Sequence, residues 1–108
     1  MEILSKQEEL ILLAVWRLQD DAYGIKIRDY LNDVTGQKMS IGGIYVPLDR
    51  LVRKGYLDTY QGKPTPERGG MSKRFFSVTK SGAAALEQTK SVRDALWEDL
   101  PNLKFKKS

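Results

Sequence analysis

The side chains best suited to chemistry in this chain are cations, and they cluster in its middle. Residues 36–80 contain nine Lys/Arg against three Asp/Glu, an excess of six positive charges. Residues 1–35 are acidic, with four Lys/Arg against seven Asp/Glu. Residues 81–108 are nearly balanced, with five Lys/Arg against four Asp/Glu. A concentrated positive surface suits a polyanion such as nucleic acid. Net charge alone fits a solvated surface equally well, so the positions of the cations must decide.

Cysteine and histidine are both absent from the sequence. Disulfides, thiolate metal sites and catalysis by Ser-His-Asp or Cys-His groups are therefore excluded. The paired glycines Gly42-Gly43 and Gly69-Gly70 are predicted to be turn glycines, because they lack the pattern of a nucleotide-binding loop. A carboxylate metal site at Asp20-Asp21 stays open, although a turn that ends a helix explains this pair more simply. We expect no enzymatic activity, no cofactor and no metal.

Two patterns bear on the compartment. The sequence has no run of about 18 apolar residues that could span a membrane. Residues 1–8 lack the basic and then apolar pattern of a secretory signal. Together with the absence of cysteine, these features predict a cytoplasmic protein without a membrane partner.

The first predicted helix begins with a strong local signal. Ser5 and Glu8 form a capping box, in which each side chain binds the backbone of the other residue. The helix is expected from about residue 6 to residue 19, and apolar residues cover more than half of its circumference. Because so wide an apolar face needs cover on two sides, we expect contacts with its own domain and with a partner.

Two further helices follow before the chain becomes more basic. Tyr23-Gly24 leads into the second helix, which Gly36 ends. Ser40 is a typical N-cap residue for the third helix, over about 41–54. We expect Pro47 to lie in the first turns of this helix, where a missing N–H is tolerated.

A hairpin and a long helix complete the pattern. Residues 56–60 and 74–78 are predicted strands, rich in aromatic and β-branched side chains. The glycine, proline and cations of residues 61–73 predict a mobile hairpin tip. A fourth helix is expected over about 80–100 and ends at Pro101. Helix and strand spacing assigns the following residues to the core: Ile27, Leu31, Leu48, Leu51, Leu57, Phe75 and Val78.

Three short helices, a hairpin with a basic tip and a final helix are the order of a winged helix-turn-helix. The predicted fold is therefore mainly α with a small antiparallel β-hairpin. In this fold the third helix would enter the DNA major groove and the hairpin would be the wing. We expect residues 1–80 to form the DNA-binding domain. Residues 81–108 are expected to form a C-terminal dimerisation helix and a frayed basic tail, within one structural unit.

Four motifs strengthen this interpretation. Residues 40–57 read Gly-Gly-apolar-Tyr, then leucines three residues apart, then Gly-Tyr-Leu. Tyr23-Gly24 precedes them, and Arg68-Gly69-Gly70 and the basic-aromatic run of 73–82 follow. In this order the motifs resemble the PadR-type transcriptional regulators, in the short branch with one C-terminal helix. Gly43 stands where many relatives have Ser or Thr, which removes one candidate DNA contact.

The resemblance implies that Tyr45 faces DNA, although a core tyrosine is the alternative. Ser40 and Lys38 precede the third helix, where hydroxyls and N–H groups readily meet phosphate. Arg50 and Arg53 lie on the more polar side of that helix, and one of them is expected to touch phosphate or a guanine edge. Each cation taken singly could be merely solvated. The full set of DNA-binding candidates is Lys38, Ser40, Tyr45, Arg50, Arg53, Lys63, Arg68, Lys73 and Arg74.

The resemblance also implies that the fourth helix pairs with the first and fourth helices of a second subunit. An apolar stripe on a protruding helix needs such cover. The expected dimer interface comprises Leu10, Leu13, Trp16, Leu86, Val92, Leu96, Trp97 and Leu100. Some relatives hold flat aromatic effectors at this interface, which here suggests a site at Trp97 and Leu96.

The function that these observations favour is a homodimeric transcriptional repressor that binds double-stranded DNA and is relieved by a small aromatic effector. The alternative is a winged-helix module that binds protein without DNA. The acidic first 35 residues are compatible with it. In that case neutralising Lys73 and Arg74 would leave partner binding intact.

Overall fold

The computed structural model describes residues 2–63 and 73–101, which form four α-helices and one two-stranded antiparallel sheet. The elements in chain order are α1 (Lys6–Leu18), a 3₁₀ turn (Gln19–Asp21), α2 (Gly24–Thr35), α3 (Ile41–Arg53), β1 (Leu57–Gln61), β2 (Arg74–Val78) and α4 (Lys80–Trp97). This confirms the predicted fold class. No helix among these residues is both long and apolar enough to cross a membrane.

The helix ends that local chemistry predicts are present. The Ser5 hydroxyl accepts from the Glu8 amide, and the Glu8 carboxylate accepts from the Ser5 amide, which closes the capping box. Gly36 ends α2 with a φ of 74°, a left-handed conformation that favours glycine. The Thr79 hydroxyl caps α4 by accepting from the Gly82 amide. These ends fix where each helix begins and which face it buries.

The end of one helix and the position of one proline differ from the predictions. The α4 helix ends at Trp97, not at residue 100, with Glu98 extended and Asp99 at a φ of 56°. Proline disfavours helical geometry in the residue before it and has no N–H to donate, so Pro101 stops the helix one turn earlier than expected. Pro47 is the seventh residue of α3, inside the helix and beyond its first turn.

One core lies between α1, α2, α3 and the sheet. Its largest fully buried side chains come from every one of these elements, and they are Ile11, Leu12, Val15, Ile27, Ile44, Leu48, Leu51, Leu57 and Phe76. Phe75 lies in the strand as predicted, but its assignment to the core was wrong, because Phe76 is the aromatic residue in the core and Phe75 is only half-buried. Successive strand side chains alternate faces, so burying Phe76 against α1 turns Phe75 to the other face.

The β2 strand lies between β1 and the connection from α1 to α2. Its register places Thr59 opposite Phe76 and Tyr60 opposite Phe75. On its other side, the Phe76 amide donates to the Ala22 carbonyl at 2.9 Å. The base of the hairpin is therefore hydrogen-bonded to the segment that leads into α2.

The α4 helix is seated on the turn between α3 and β1. The Thr79 hydroxyl donates to the Gly55 carbonyl at 2.6 Å, and the Thr79 amide donates to the Tyr56 carbonyl at 3.1 Å. Gly82 is buried, and a Cβ there would overlap the Tyr56 carbonyl oxygen. Only glycine permits this approach of α4 to the turn.

The Gly82→Ala variant is expected to be less stable than the wild type by about 1–3 kcal/mol, because rigid backbone has to move to admit the methyl group. The matched control is Gly42→Ala, since a Cβ there meets open space. It should raise stability by about 0.5 kcal/mol by restricting the unfolded chain. Urea unfolding at one protein concentration measures both, and equal effects would contradict the close approach.

Candidate nucleic-acid interface

The α3 helix has one completely buried side and one exposed side. Ile44, Leu48 and Leu51 have no exposed surface. Gly42, Val46, Arg50 and Arg53 are all exposed and recur at spacings of three and four residues, which places them on the opposite side. The face that is not committed to the core therefore carries a short apolar side chain followed by two arginines.

The start of α3 is held by a residue at the end of α2. The Asn32 side chain accepts from the Met39 amide at 2.9 Å and donates to the Met39 carbonyl at 3.3 Å. The Ser40 hydroxyl then caps α3 by accepting from the Gly43 amide at 2.9 Å. The role of Asn32 was not predicted from the sequence, because an asparagine seven residues before its partner matches no local capping pattern.

Tyr45 lies between α3 and the first residue of α2. It is half-buried against the core, and its hydroxyl stands over Gly24, where a Cβ would overlap it. The ring therefore sets how closely α2 and α3 approach. This packing role was the alternative reading of Tyr45, and its contact with DNA stays a prediction.

The end of α3 is tied to α1 by a buried carboxylate. Lys54, the residue after α3, places its Nζ 2.6 Å from Glu8 and 3.1 Å from Glu2. Burial alone raises the pKa of the Glu8 carboxyl, but hydrogen bonds with Lys54 and Ser5 outweigh it and lower that pKa. Glu8 is thus held as an anion that serves both the α1 cap and the α3 terminus.

The base of the hairpin is joined to the exposed side of α3 by Arg74. Its Nη1 lies 2.7 Å from the Asp49 carboxylate, and its Nε donates to the Thr59 hydroxyl at 2.9 Å. The guanidinium also stands 4.8 Å from the centre of the Phe76 ring. Arg74 was predicted to contact DNA. In the structure its guanidinium forms an ion pair with Asp49 of the same chain.

A cluster of aromatic side chains lies on the outer face of the hairpin. Phe75 stacks on Tyr60 and meets Tyr23 edge to face, with ring centres 5.6 Å apart in both pairs. Lys73 places its Nζ 3.6 Å from the centre of the Tyr23 ring. This cluster was missed because Phe75 had been assigned to the core. It fixes the hairpin base and holds Lys73 against α2.

The other predicted cations are exposed. Within residues 2–63 and 73–101, no carboxylate forms an ion pair with Lys38, Arg50, Arg53 or Lys63. Arg68 and the tip of the wing at 64–72 lie outside the described residues, as does the basic tail. In the described part, positive charge without an ion-pair partner thus lies at both ends of α3 and at the hairpin, and also at Lys6, Arg17 and Lys80 on α1 and α4.

The acidic pair that left a metal site open has a structural explanation. Asp20 and Asp21 lie in the 3₁₀ turn, and the Asp21 carboxylate is 3.3 Å from the Lys26 Nζ. Over the described ranges, no group of three or more acidic side chains could hold a metal ion.

Apolar side chains are exposed on the opposite surface, along α1 and α4. Leu13 and Trp16 line an open groove of about 480 Å³ with Leu86. Leu96 and Trp97 line a second groove of about 400 Å³ with Val92. The ion pair between Glu9 and Arg93 borders both grooves. Most of the predicted interface residues are thus accessible in the single chain, with Leu96 70% and Trp97 60% exposed.

Comparison with known proteins gives a family match. The model of the PadR-like transcriptional regulator family matches residues 12–88. A PadR family regulator from Clostridium difficile R20291 is similar, at 20% identity over 85% of this chain and 91% of that one, with a TM-score of 0.64. A PadR-like transcription factor from Bacteroides fragilis has 20% identity over 84% and 85%, with a TM-score of 0.67. Among curated proteins, none matches.

A third solved structure has the same fold. The PadR family regulator from Eggerthella lenta DSM 2243 is 22% identical over 81% of this chain and 73% of that one, with a TM-score of 0.65. At these identities the structural likeness supports the fold and not the individual contact residues.

The Asp49–Arg74 pair is expected to couple α3 to the hairpin. In a double-mutant cycle with Asp49→Asn and Arg74→Gln, we predict a coupling energy of about 0.5 kcal/mol at low salt, because both side chains are only partly shielded from water. High salt should reduce it. The exposed Lys90–Asp94 pair is the control and should couple more weakly. Urea unfolding measures each variant, and zero coupling for Asp49–Arg74 would contradict this role.

Proposed function

The chain belongs to the PadR-like family of transcriptional regulators, and we propose that it is a homodimeric repressor that binds double-stranded DNA through α3 and the wing. Family membership makes the chain a transcriptional regulator rather than an enzyme. The observation that carries the proposal is the exposed side of α3, where Arg50 and Arg53 have no ion-pair partner among the described residues. The opposite side of the helix is fully buried, so this face is the one available to DNA.

The proposed contacts follow the position of each cation. Arg50 and Arg53 would enter the major groove with α3 and bind base edges or phosphates. Lys38 and the Ser40 hydroxyl would bind a phosphate near the helix start. On the wing, the residues proposed to contact the minor groove or the DNA backbone are Lys63, Arg68 and Lys73. Arg74 is proposed to position the wing, because Asp49 and Thr59 already occupy its guanidinium.

Dimerisation is proposed through α1 and α4. The grooves there expose apolar side chains that a second copy would cover, and two copies would present two α3 helices to half-sites about one helical turn apart. Residues 1–80 would then supply DNA binding and 81–108 the dimer contacts. The bound dimer would repress transcription by occupying the operator. We propose that the protein acts in the cytoplasm.

We place a proposed effector in the groove that Leu96 and Trp97 line with the start of α1. Its volume of about 400 Å³ is in the range of small-molecule sites. An aromatic ligand that binds better to one arrangement of the two subunits would shift the population and change the spacing of the α3 helices. The family resemblance, the groove and the exposed tryptophan support this part of the proposal.

The Arg53→Gln variant is expected to bind a labelled 30-bp mixed-sequence duplex about fivefold or more weakly than the wild type, since an arginine contact contributes about 1–3 kcal/mol. The control is Arg17→Gln, an exposed arginine on α1. Fluorescence anisotropy at fixed low salt measures both variants. Equal losses in the two would contradict DNA binding through α3, and a folded wild type that binds no duplex would leave a protein-binding module as the better explanation.

The Leu96→Ala/Trp97→Ala double variant is expected to dissociate at least about tenfold more readily, because each large side chain buried at an interface contributes about 2 kcal/mol. Both residues are exposed in the single chain, so its fold should be retained. Sedimentation equilibrium gives the dimer dissociation constant, with Ile25→Ala on α2 as the control. A wild type with the mass of one chain would contradict the dimer.

A further inference from the structure

Val46 occupies the middle of the exposed side of α3. It is 60% exposed, follows Gly42 by one turn and precedes Arg50 by one turn. At a rise of about 1.5 Å per residue, each of these neighbours is about 6 Å away along the helix axis. Val46 is therefore the only apolar side chain between the start of α3 and its arginines on this face of the described helix.

The fold does not account for this valine. Ile44, Leu48 and Leu51 on the other side of α3 make the core contacts, and Val46 is not among the side chains packed on them. A β-branched residue on an exposed helix face has a lower helix propensity than alanine. Its position on the face proposed to meet DNA supplies a reason for the side chain that packing does not.

The residues around Val46 would let a short side chain reach the floor of the groove. Gly42 has no side chain, and a Cβ there would meet open space rather than the protein. At Gly42 no side chain protrudes from α3, which permits close approach of the backbone to a ligand. Arg50 and Arg53 are longer and would bind at greater distance, on either polar base edges or phosphates.

We propose that Val46 reads thymine, by packing its methyl groups on the C5-methyl group of that base in the major groove. Thymine alone presents a methyl group in the major groove beside its O4 acceptor, whereas the edges of the other bases offer donors and acceptors that valine cannot pair with. Against those edges it would only displace water. The inference rests on the proposed function, because it assigns a sequence preference to DNA binding by α3.

The test begins by selecting bound duplexes from a random-sequence library with the wild-type protein. Each thymine of the selected duplex is then replaced singly by deoxyuridine, which removes only the C5-methyl group. At one position in each half-site, we expect the affinity of the wild type to fall about fourfold, as burial of one methyl predicts. For Val46→Ala this loss should shrink to less than about twofold.

Val34→Ala is the matched control, because it removes the same atoms from a helix position that is 64% exposed on α2. It should retain the wild-type response to deoxyuridine. The Gly42→Ala variant should bind the selected duplex more weakly despite its intact fold. Circular dichroism confirms that each variant is folded.

The outcomes separate this inference from the proposed function. A methyl-dependent loss that Val46→Ala abolishes and Val34→Ala keeps would support the inference. Selective binding with no methyl-sensitive position, or with the same sensitivity in Val46→Ala, would overturn it and leave DNA binding by α3 intact. A folded wild type that enriches no duplex would overturn the proposed function and this inference with it.

Discussion

The complete burial of one side of α3 is the constraint on which the rest of the structure depends. Because α3 buries Ile44, Leu48 and Leu51 in the core, the residues on its opposite face are exposed to solvent. Because side-chain positions follow from the helical repeat, the same burial fixes the direction in which Arg50 and Arg53 point. The hydrophobic effect thus orients a polar surface that makes no contribution to the core.

Ion pairs between elements of the fold occupy some of the cations and leave others without a partner. Lys54 binds Glu8, Arg74 binds Asp49, and Arg93 binds Glu9, and each pair joins two elements of the fold. Another set has no ion-pair partner in the described part of the chain: Lys38, Arg50, Arg53 and Lys63. The first group holds α1, α3, α4 and the hairpin base in place. The second group lies beside α3 and on the hairpin, where its charge is available to a polyanion.

Features that depend on neighbours in sequence could be predicted, and features that depend on tertiary packing could not. The capping box of Ser5, the Ser40 cap and the left-handed Gly36 follow from residue type within a few positions. Phe75 and Phe76 are adjacent aromatics, so sequence cannot say which one faces α1, and the assignment failed there.

The same limit applies to the candidate site. Sequence placed Arg74 on the wing, but only folding brings it to Asp49, 25 residues earlier. The Asn32 bonds to Met39 and the Lys54 bond to Glu8 are likewise products of the fold. Residue type therefore identified which cations could bind DNA, and geometry was needed to tell which of them the protein already uses.

The central claim is that cations of α3 and the wing bind the phosphates of DNA. The most direct measurement is the salt dependence of anisotropy for a labelled non-specific duplex, plotted as the logarithm of affinity against the logarithm of salt concentration. The account predicts a steep linear fall, and a slope that is shallower by about one for each phosphate-contacting cation removed, as in Lys63→Ala and Arg68→Ala. A folded protein with no affinity at low salt, or with an unchanged slope in these variants, would contradict it.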